Sequence, residues 1–288
     1  MVMKCVAVVF FLMMVVSFSS KAQMGDLFGP PPALRNKSVE PRREGINQTD
    51  DKGRKQGAWQ KNYTSGKPSY TATFKDDKPV GELIRYYPTG KVSARIVYDV
   101  TGDKGKAELF DETGLLIAKG NYIGTLRDSI WLYYVGRNQI GSSENYVMGK
   151  REGNSLTYFR NGKASELIFW KNDQKNGVWE QYHEVGGLKL RSQHVNGNIH
   201  GKYETFYSDG KPEIVGQYVN GLEHGKWRFY FQSGKLDYEL DYDMGRLKNK
   251  EVLEKREKEL FDEFERNKGK LNDPEQMRNN PEQMLFGQ

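Results

Sequence analysis

Bulky apolar residues alternate with polar ones in short runs between positions 57 and 248, and glycines cut these runs at a fixed interval. Stepping by 24 from Gly57 gives Gly81, Gly105, Ser129, Gly153, Gly177, Gly201 and Gly225. A second ladder lies nine residues further on, at Gly66, Gly90, Gly114, Asn138, Gly162, Gly186, Gly210 and Gly234. Its one exception is Asn, the residue next most tolerant of positive φ, so both ladders read as turn positions. Between the ladders stand large side chains: Trp59, Trp131, Trp179 and Trp227 two residues after the first glycine, and a Tyr/Phe column three residues later. After the second ladder a further column holds Phe74, Tyr98, Tyr122, Tyr146, Trp170, His194, Tyr218 and Tyr242. Period-two alternation bounded by turns such as "RNGK" (160–163) and "VNG" (195–197) predicts two strands per unit. One hairpin cannot bury its aromatic face alone, whereas stacked hairpins cover one another. The expected fold is mainly β: an elongated single antiparallel sheet of about eight 24-residue hairpins, sixteen strands or so, with a C-terminal helix. Each repeat should advance ~9–10 Å across the sheet. Repeats 3 to 5 break the pattern with Ala107, Asp111, Ser129 and Ser155, which predicts looser packing there or a specialised surface.

The flanks read differently. Residues 1–22 place one positive charge before the apolar run Cys5–Phe18, then small residues at Ser20 and Ala22, the pattern of a secretory leader. That run falls short of the ~20 residues a spanning helix needs. Residues 23–56 are rich in Pro and charge and read as a linker. Within 249–270, Leu253, Leu260 and Phe264 form one helical stripe with Val252 and Phe261 beside it, ending at Gly269. This helix is expected to cap the open edge of the last hairpin, with partner binding as the alternative. The segment 271–288 repeats "PEQM" and ends in Leu285–Phe286, composition expected of a disordered tail. Met277, Met284, Leu285 and Phe286 are its candidate partner-binding anchors.

Composition narrows the function classes. Only 36% of residues are hydrophobic, Gly reaches 31 and mean hydropathy is -0.80, which suits turn-rich β structure with an aromatic core. The net charge of +6 falls to about +4 without the leader, and no basic run marks a nucleic-acid footprint. Cys5 is the single cysteine and lies in the leader, so neither a disulfide framework nor a thiolate site is expected.

The pattern G-x-W-x-x-Y-Y-x-x-G-K…Y-x-x-G, carried in register through Gly57–Lys248, resembles the MORN-repeat family. It is most similar to the bacterial variant commonly labelled as YwqK-like antitoxins. The resemblance implies a hairpin array used for protein–protein or membrane-proximal scaffolding. It offers no catalytic residues to carry over.

The residues themselves point the same way. His200 and His224 occupy equivalent positions one repeat apart, too far to share a zinc ion with ~2.1 Å bonds. Gln56, Val80, Lys104 and Asp128 fill that position elsewhere, which marks a turn-edge surface site. His194 falls in an aromatic column and is expected to be packed. The Gly turns join strand to strand, unlike phosphate loops, which join a strand to a helix. The expectation is therefore a non-enzymatic protein with no cofactor, no metal, no small-molecule substrate and no nucleic-acid partner. Its expected role is an exported scaffold binding a protein in the cell envelope, in the periplasm or at the cell surface. Two alternatives stay open: an antitoxin-like or immunity protein, and a peripheral lipid-binding protein. In a eukaryotic source, Asn36, Asn47 and Asn62 would be glycosylation acceptors and the location extracellular.

Overall fold

The computed structural model describes residues 45–268. They form one long antiparallel sheet of 20 strands followed by a single helix, Lys250–Asn267. Eight hairpins make up the array: repeats 1 (55–75), 2 (78–98), 3 (104–123), 4 (126–147), 5 (150–171), 6 (174–195), 7 (198–219) and 8 (222–243). Each strand pairs with its neighbour in sequence, so the sheet is a continuous meander. The strand total exceeds the expected sixteen because short strands Gln48–Thr49 and Arg246–Leu247 flank the array and the leading strands of repeats 7 and 8 are each interrupted. Gln48–Thr49 comes from within the expected linker and pairs with Lys55–Asn62.

The two glycine ladders do different work. Every member of the second ladder has positive φ, including Asn138 at 58°. In seven of the eight a three-residue type I turn closes on the left-handed residue, as where Gly66 N–H donates to the Tyr63 carbonyl and Tyr63 N–H to that of Lys67. The turn at Asn138 also has positive φ at Gly136. The first ladder does not turn the chain, contrary to the sequence reading. Its residues lie within strands, where the cross-strand register slips by two residues, as at Gly81, Gly153 and Gly177. These are β-bulges, and the left-handed residue is what a glycine bulge requires. The turns between repeats lie a few residues earlier, at pairs such as Asn196–Gly197 and Asn220–Gly221, with positive φ at both positions. Gly105 is the exception that explains the rule. Repeats 2 and 3 are joined by the longer loop 99–103, the register then runs unbroken, and Gly105 has no positive φ. The same residue count is absorbed once as a loop and elsewhere as a bulge.

Ser129 takes the bulge position in repeat 4 with φ 58°. A left-handed L-residue costs about 1–2 kcal/mol, partly offset by the greater entropy glycine loses on folding. Ser129→Gly is therefore expected to stabilise the protein by about 1 kcal/mol, read as a higher guanidinium midpoint at unchanged slope.

Packing concentrates on one face. A row of directly paired side chains crosses it through Leu83, Ile96, Ala107 and Gly120, then Trp131, Glu144, Ser155 and Ile168. Large and small residues complement each other along this row. A Cβ on Gly120 would lie 2.3 Å from the Trp131 ring, and one on Gly216 2.3 Å from Trp227. The small residues of repeat 3 thus make room for their neighbours and do not loosen the sheet. Ala94, Ile96, Ala107, Leu109, Ala118 and Trp131 are all at most 6% exposed, the densest part of the core. Repeat 5 differs, and buries no residue as deeply.

The helix meets the last hairpin through its first turns. Asn249 imitates a strand residue, accepting from Asp241 N–H at 2.8 Å and donating to the Glu239 carbonyl at 3.0 Å. Arg256 pairs with Asp237 at 2.9 Å and lies 5.6 Å from the centre of the Phe231 ring. Val252, Leu253 and Leu260 are half-buried, while Phe261 and Phe264 are 63% and 52% exposed.

Candidate interaction surface

On the packed face the aromatic column after the second turn alternates across the strands with cations. Tyr122 pairs with Arg127, Tyr146 with Arg151 and Trp170 with Lys175. The Arg151 guanidinium sits 3.6 Å from the Trp170 ring centre, and Arg127 lies 5.0 Å from Trp131 and 5.3 Å from Tyr146. Such contacts are worth ~0.5–2 kcal/mol each, more where water is excluded.

Repeat 4 adds a polar centre to this stripe. Arg127 donates to the Tyr133 and Tyr146 hydroxyls, both at 3.0 Å, and Tyr146 donates to Glu144 at 2.6 Å. Burial, then the Glu144 charge, pushes the Tyr133 phenol far up, and burial raises Tyr146 as well. Burial also pushes Tyr122 up to about 12. For Arg127, burial acts downward, but the facing phenols outweigh it and leave the guanidinium more strongly basic. These phenols stay protonated and the guanidinium charged throughout the physiological range. The cluster therefore holds its charge in place; a proton-transfer group needs a pKa near the working pH.

The histidines are structural. His200 Nδ1 accepts from Asn220 N–H of the next turn at 3.3 Å. Glu152 does the same for Asn172 at 2.8 Å and Gln56 for Asp76 at 3.2 Å, so His200 serves there as a hydrogen-bond acceptor that other side chains replace. His183 Nε2 lies 2.9 Å from the Phe206 carbonyl, where Tyr63, Tyr87 and Tyr207 donate their hydroxyls to the equivalent carbonyls of the following repeats. Among the described residues no group of three or more His, Cys, Asp or Glu is placed to hold a metal ion.

His194 packs edge-on against Trp179 at 5.4 Å and is 8% exposed. Burial, with a smaller push from Lys175, lowers its pKa below the ordinary 6.5. The unfolded chain then binds more protons than the native one between the two pKa values, and stability falls as pH drops from 6.5 through the folded pKa. His194→Phe is expected to remove that acid-side loss. Comparing denaturant midpoints at pH 8 and pH 5 tests it: the wild type should lose more than the variant.

Two devices join neighbouring repeats and were missed in the sequence. Besides the tyrosine hydroxyls, the lysine after four of the second-ladder glycines, Lys67, Lys91, Lys163 and Lys211, reaches a carbonyl of the next turn. Lys67 donates to Thr89 at 3.0 Å, Lys91 to Glu112 at 2.6 Å and Lys211 to Gln232 at 3.0 Å. The recurrent Gly-Lys pair was the available signal, and its lysine is a clamp between repeats.

The candidate anchors Met277, Met284, Leu285 and Phe286, like the leader at 1–22, lie outside the described residues. Phe261 and Phe264 are exposed on the last turns of the described helix. The opposite, outer face of the sheet carries exposed Ile130, Phe169 and Val178 in repeats 4 to 6.

No curated protein resembles the chain closely enough to count as a relative. Four segments, 55–76, 79–99, 199–220 and 223–244, match the family model of the MORN repeat variant. They coincide with repeats 1, 2, 7 and 8, while the four central repeats share the same hairpin with altered side chains. Repeats of this type are generally modules for interaction with proteins or membranes, without catalytic apparatus. The chain is thus a repeat protein whose first two and last two hairpins match the MORN repeat variant.

Proposed function

We propose that this protein is a non-catalytic, exported scaffold that binds a protein partner in the cell envelope. The observation that carries the reading is the far half of the helix. Its first turns lie against the sheet, yet Phe261 and Phe264 continue the apolar stripe into solvent. Two exposed phenylalanines on one helix have a cost unless something covers them. An amphipathic helix presenting spaced apolar anchors suits a groove on another protein. Met277, Met284, Leu285 and Phe286 would extend the same contact along the tail. The leader supports export, and the repeats supply a rigid platform held by side-chain clamps.

Crosslinking in intact cells tests this, comparing the full chain, a chain truncated after Gly269, and Phe261→Ala/Phe264→Ala. One envelope protein recovered with the full chain and lost with either variant is the expected result. Recovery of the same partner by all three would place binding elsewhere on the array.

A further inference from the structure

The outer face of the sheet carries a straight row of side chains that pair directly across the strands. At its middle are Ser143 and Leu156, paired with each other. Outward on one side follow Leu132, Lys119, Glu108 and Arg95. Outward on the other follow Leu167, Glu180, Arg191 and Glu204. The two arms are opposite in sign at every charged step: Lys against Glu, Glu against Arg, Arg against Glu. Within either arm, alternation serves neighbouring strands, as in the Arg191–Glu180 ion pair at 2.8 Å. The opposite phase of the two arms has no such use, because several strands keep them apart within one chain.

The geometry points to a second copy of this chain as the occupant of this face. A two-fold axis parallel to the strands, between Ile140–Val147 and Lys150–Tyr158, reverses the row onto itself. Leu132 then meets Leu167 of the other copy, Lys119 meets Glu180, Glu108 meets Arg191 and Arg95 meets Glu204. The same rotation keeps strand direction, so the residue two positions before Leu132 meets the one two positions after Leu167. These are Ile130 and Phe169, 56% and 38% exposed. An apolar centre ringed by complementary charge is the anatomy of a specific interface. Sheet twist turns the face away with distance, which confines the contact to the central strands. Eight strands and about five residues of each give roughly 650 Å² on each copy, near the standard size for a stable complex. This dimer is separate from the envelope contact at the helix and tail, and neither depends on the other.

Sedimentation velocity on protein purified after expression of the full chain, over about 1–50 µM, reads the association directly. A dimer is expected. Lys119→Glu or Glu180→Lys alone should weaken it at least about tenfold, and the two together should restore it to within about threefold. A cysteine test covers the case in which a charge variant folds poorly. In a Cys5→Ser background, Ile130→Cys protein mixed with Phe169→Cys protein should form an intermolecular disulfide under mild oxidation, while neither alone does. Two copies of position 130 would be about three strands apart, roughly 14 Å, beyond disulfide reach. A monomer across the range overturns the proposal. So does a dimer that ignores the reversals, or cysteine crosslinking that proceeds equally within each single variant.

Discussion

Trp131→Ala is expected to cost about 3–5 kcal/mol, the largest effect of any single truncation in the array. The indole is fully buried and its Nε1–H donates to the Asn121 carbonyl at 3.0 Å. Tyr122 packs edge-on against it at 5.1 Å, and Arg127 covers it on another side. Gly120 lies flat beneath the ring with no room for a methyl group, so Gly120→Ala alone should cost about 1–3 kcal/mol by overpacking. The two changes must then couple. With the indole gone, the new methyl enters vacated space, and the double variant should be less destabilised than the sum of the singles. Because each repeat contacts mainly its neighbours, the damage should also be local. Hydrogen exchange should rise first across 118–146, and guanidinium unfolding should separate into two steps. Additive energies with uniform exchange would mean that the ring and Gly120 do not form a unit.

Arg127→Leu is expected to destabilise by about 2–4 kcal/mol, although leucine suits a half-buried strand. The guanidinium makes two charge-assisted hydrogen bonds, to Tyr133 and Tyr146, each worth about 1.5–3 kcal/mol where water is limited. Leucine recovers part of this through apolar contact and leaves two phenols without their donor. Arg127→Lys should recover little, since one ammonium cannot reproduce a planar fork shared between two hydroxyls. Chemical denaturation of the three proteins at pH 7 checks the order wild type, Lys, Leu. A Leu variant as stable as the wild type would show that the cluster contributes nothing net.

The repeats were legible because glycine and asparagine at left-handed positions leave a mark no other residue imitates. Their exact roles were not. A sequence ladder records where positive φ is needed, and a turn and a bulge need it equally, so Gly81 and Gly153 read as turns while sitting inside strands. Ala107 looked like a weak point because a column compares one repeat with the next. Its burial depends on the cross-strand neighbours Ile96 and Gly120, which belong to a different column. The polar centre was hidden for a similar reason. Arg127, Tyr133, Glu144 and Tyr146 come from both strands of one repeat, and only pairing register shows that they share a face. The Gly-Lys pairs showed in the sequence only as part of the turns, and that Lys67, Lys91, Lys163 and Lys211 reach the neighbouring turn needed the placement of one repeat beside the next. The charge phase of the outer row was equally invisible until strand pairing placed Leu132 beside Ser143.

The tyrosine clamps are unevenly distributed. Tyr63 and Tyr87 hold one end of the array, and His183 and Tyr207 the other. At the same position repeats 3, 4 and 5 have Asp111, Val135 and Phe159; Asp111 turns inward to its own loop, accepting from Thr113 and Leu115 N–H. Other side chains take over at repeats 4 and 5, where Gln139 donates to the Arg160 carbonyl, Asn161 to that of Glu184 and Lys163 to that of Val185. Considered as a mechanical strip, the sheet is thus unlaced along this margin, among the described residues, only between the turns of repeats 3 and 4. Bending load along this margin should therefore gather at that one step, which acts as a crease between two stiffer plates.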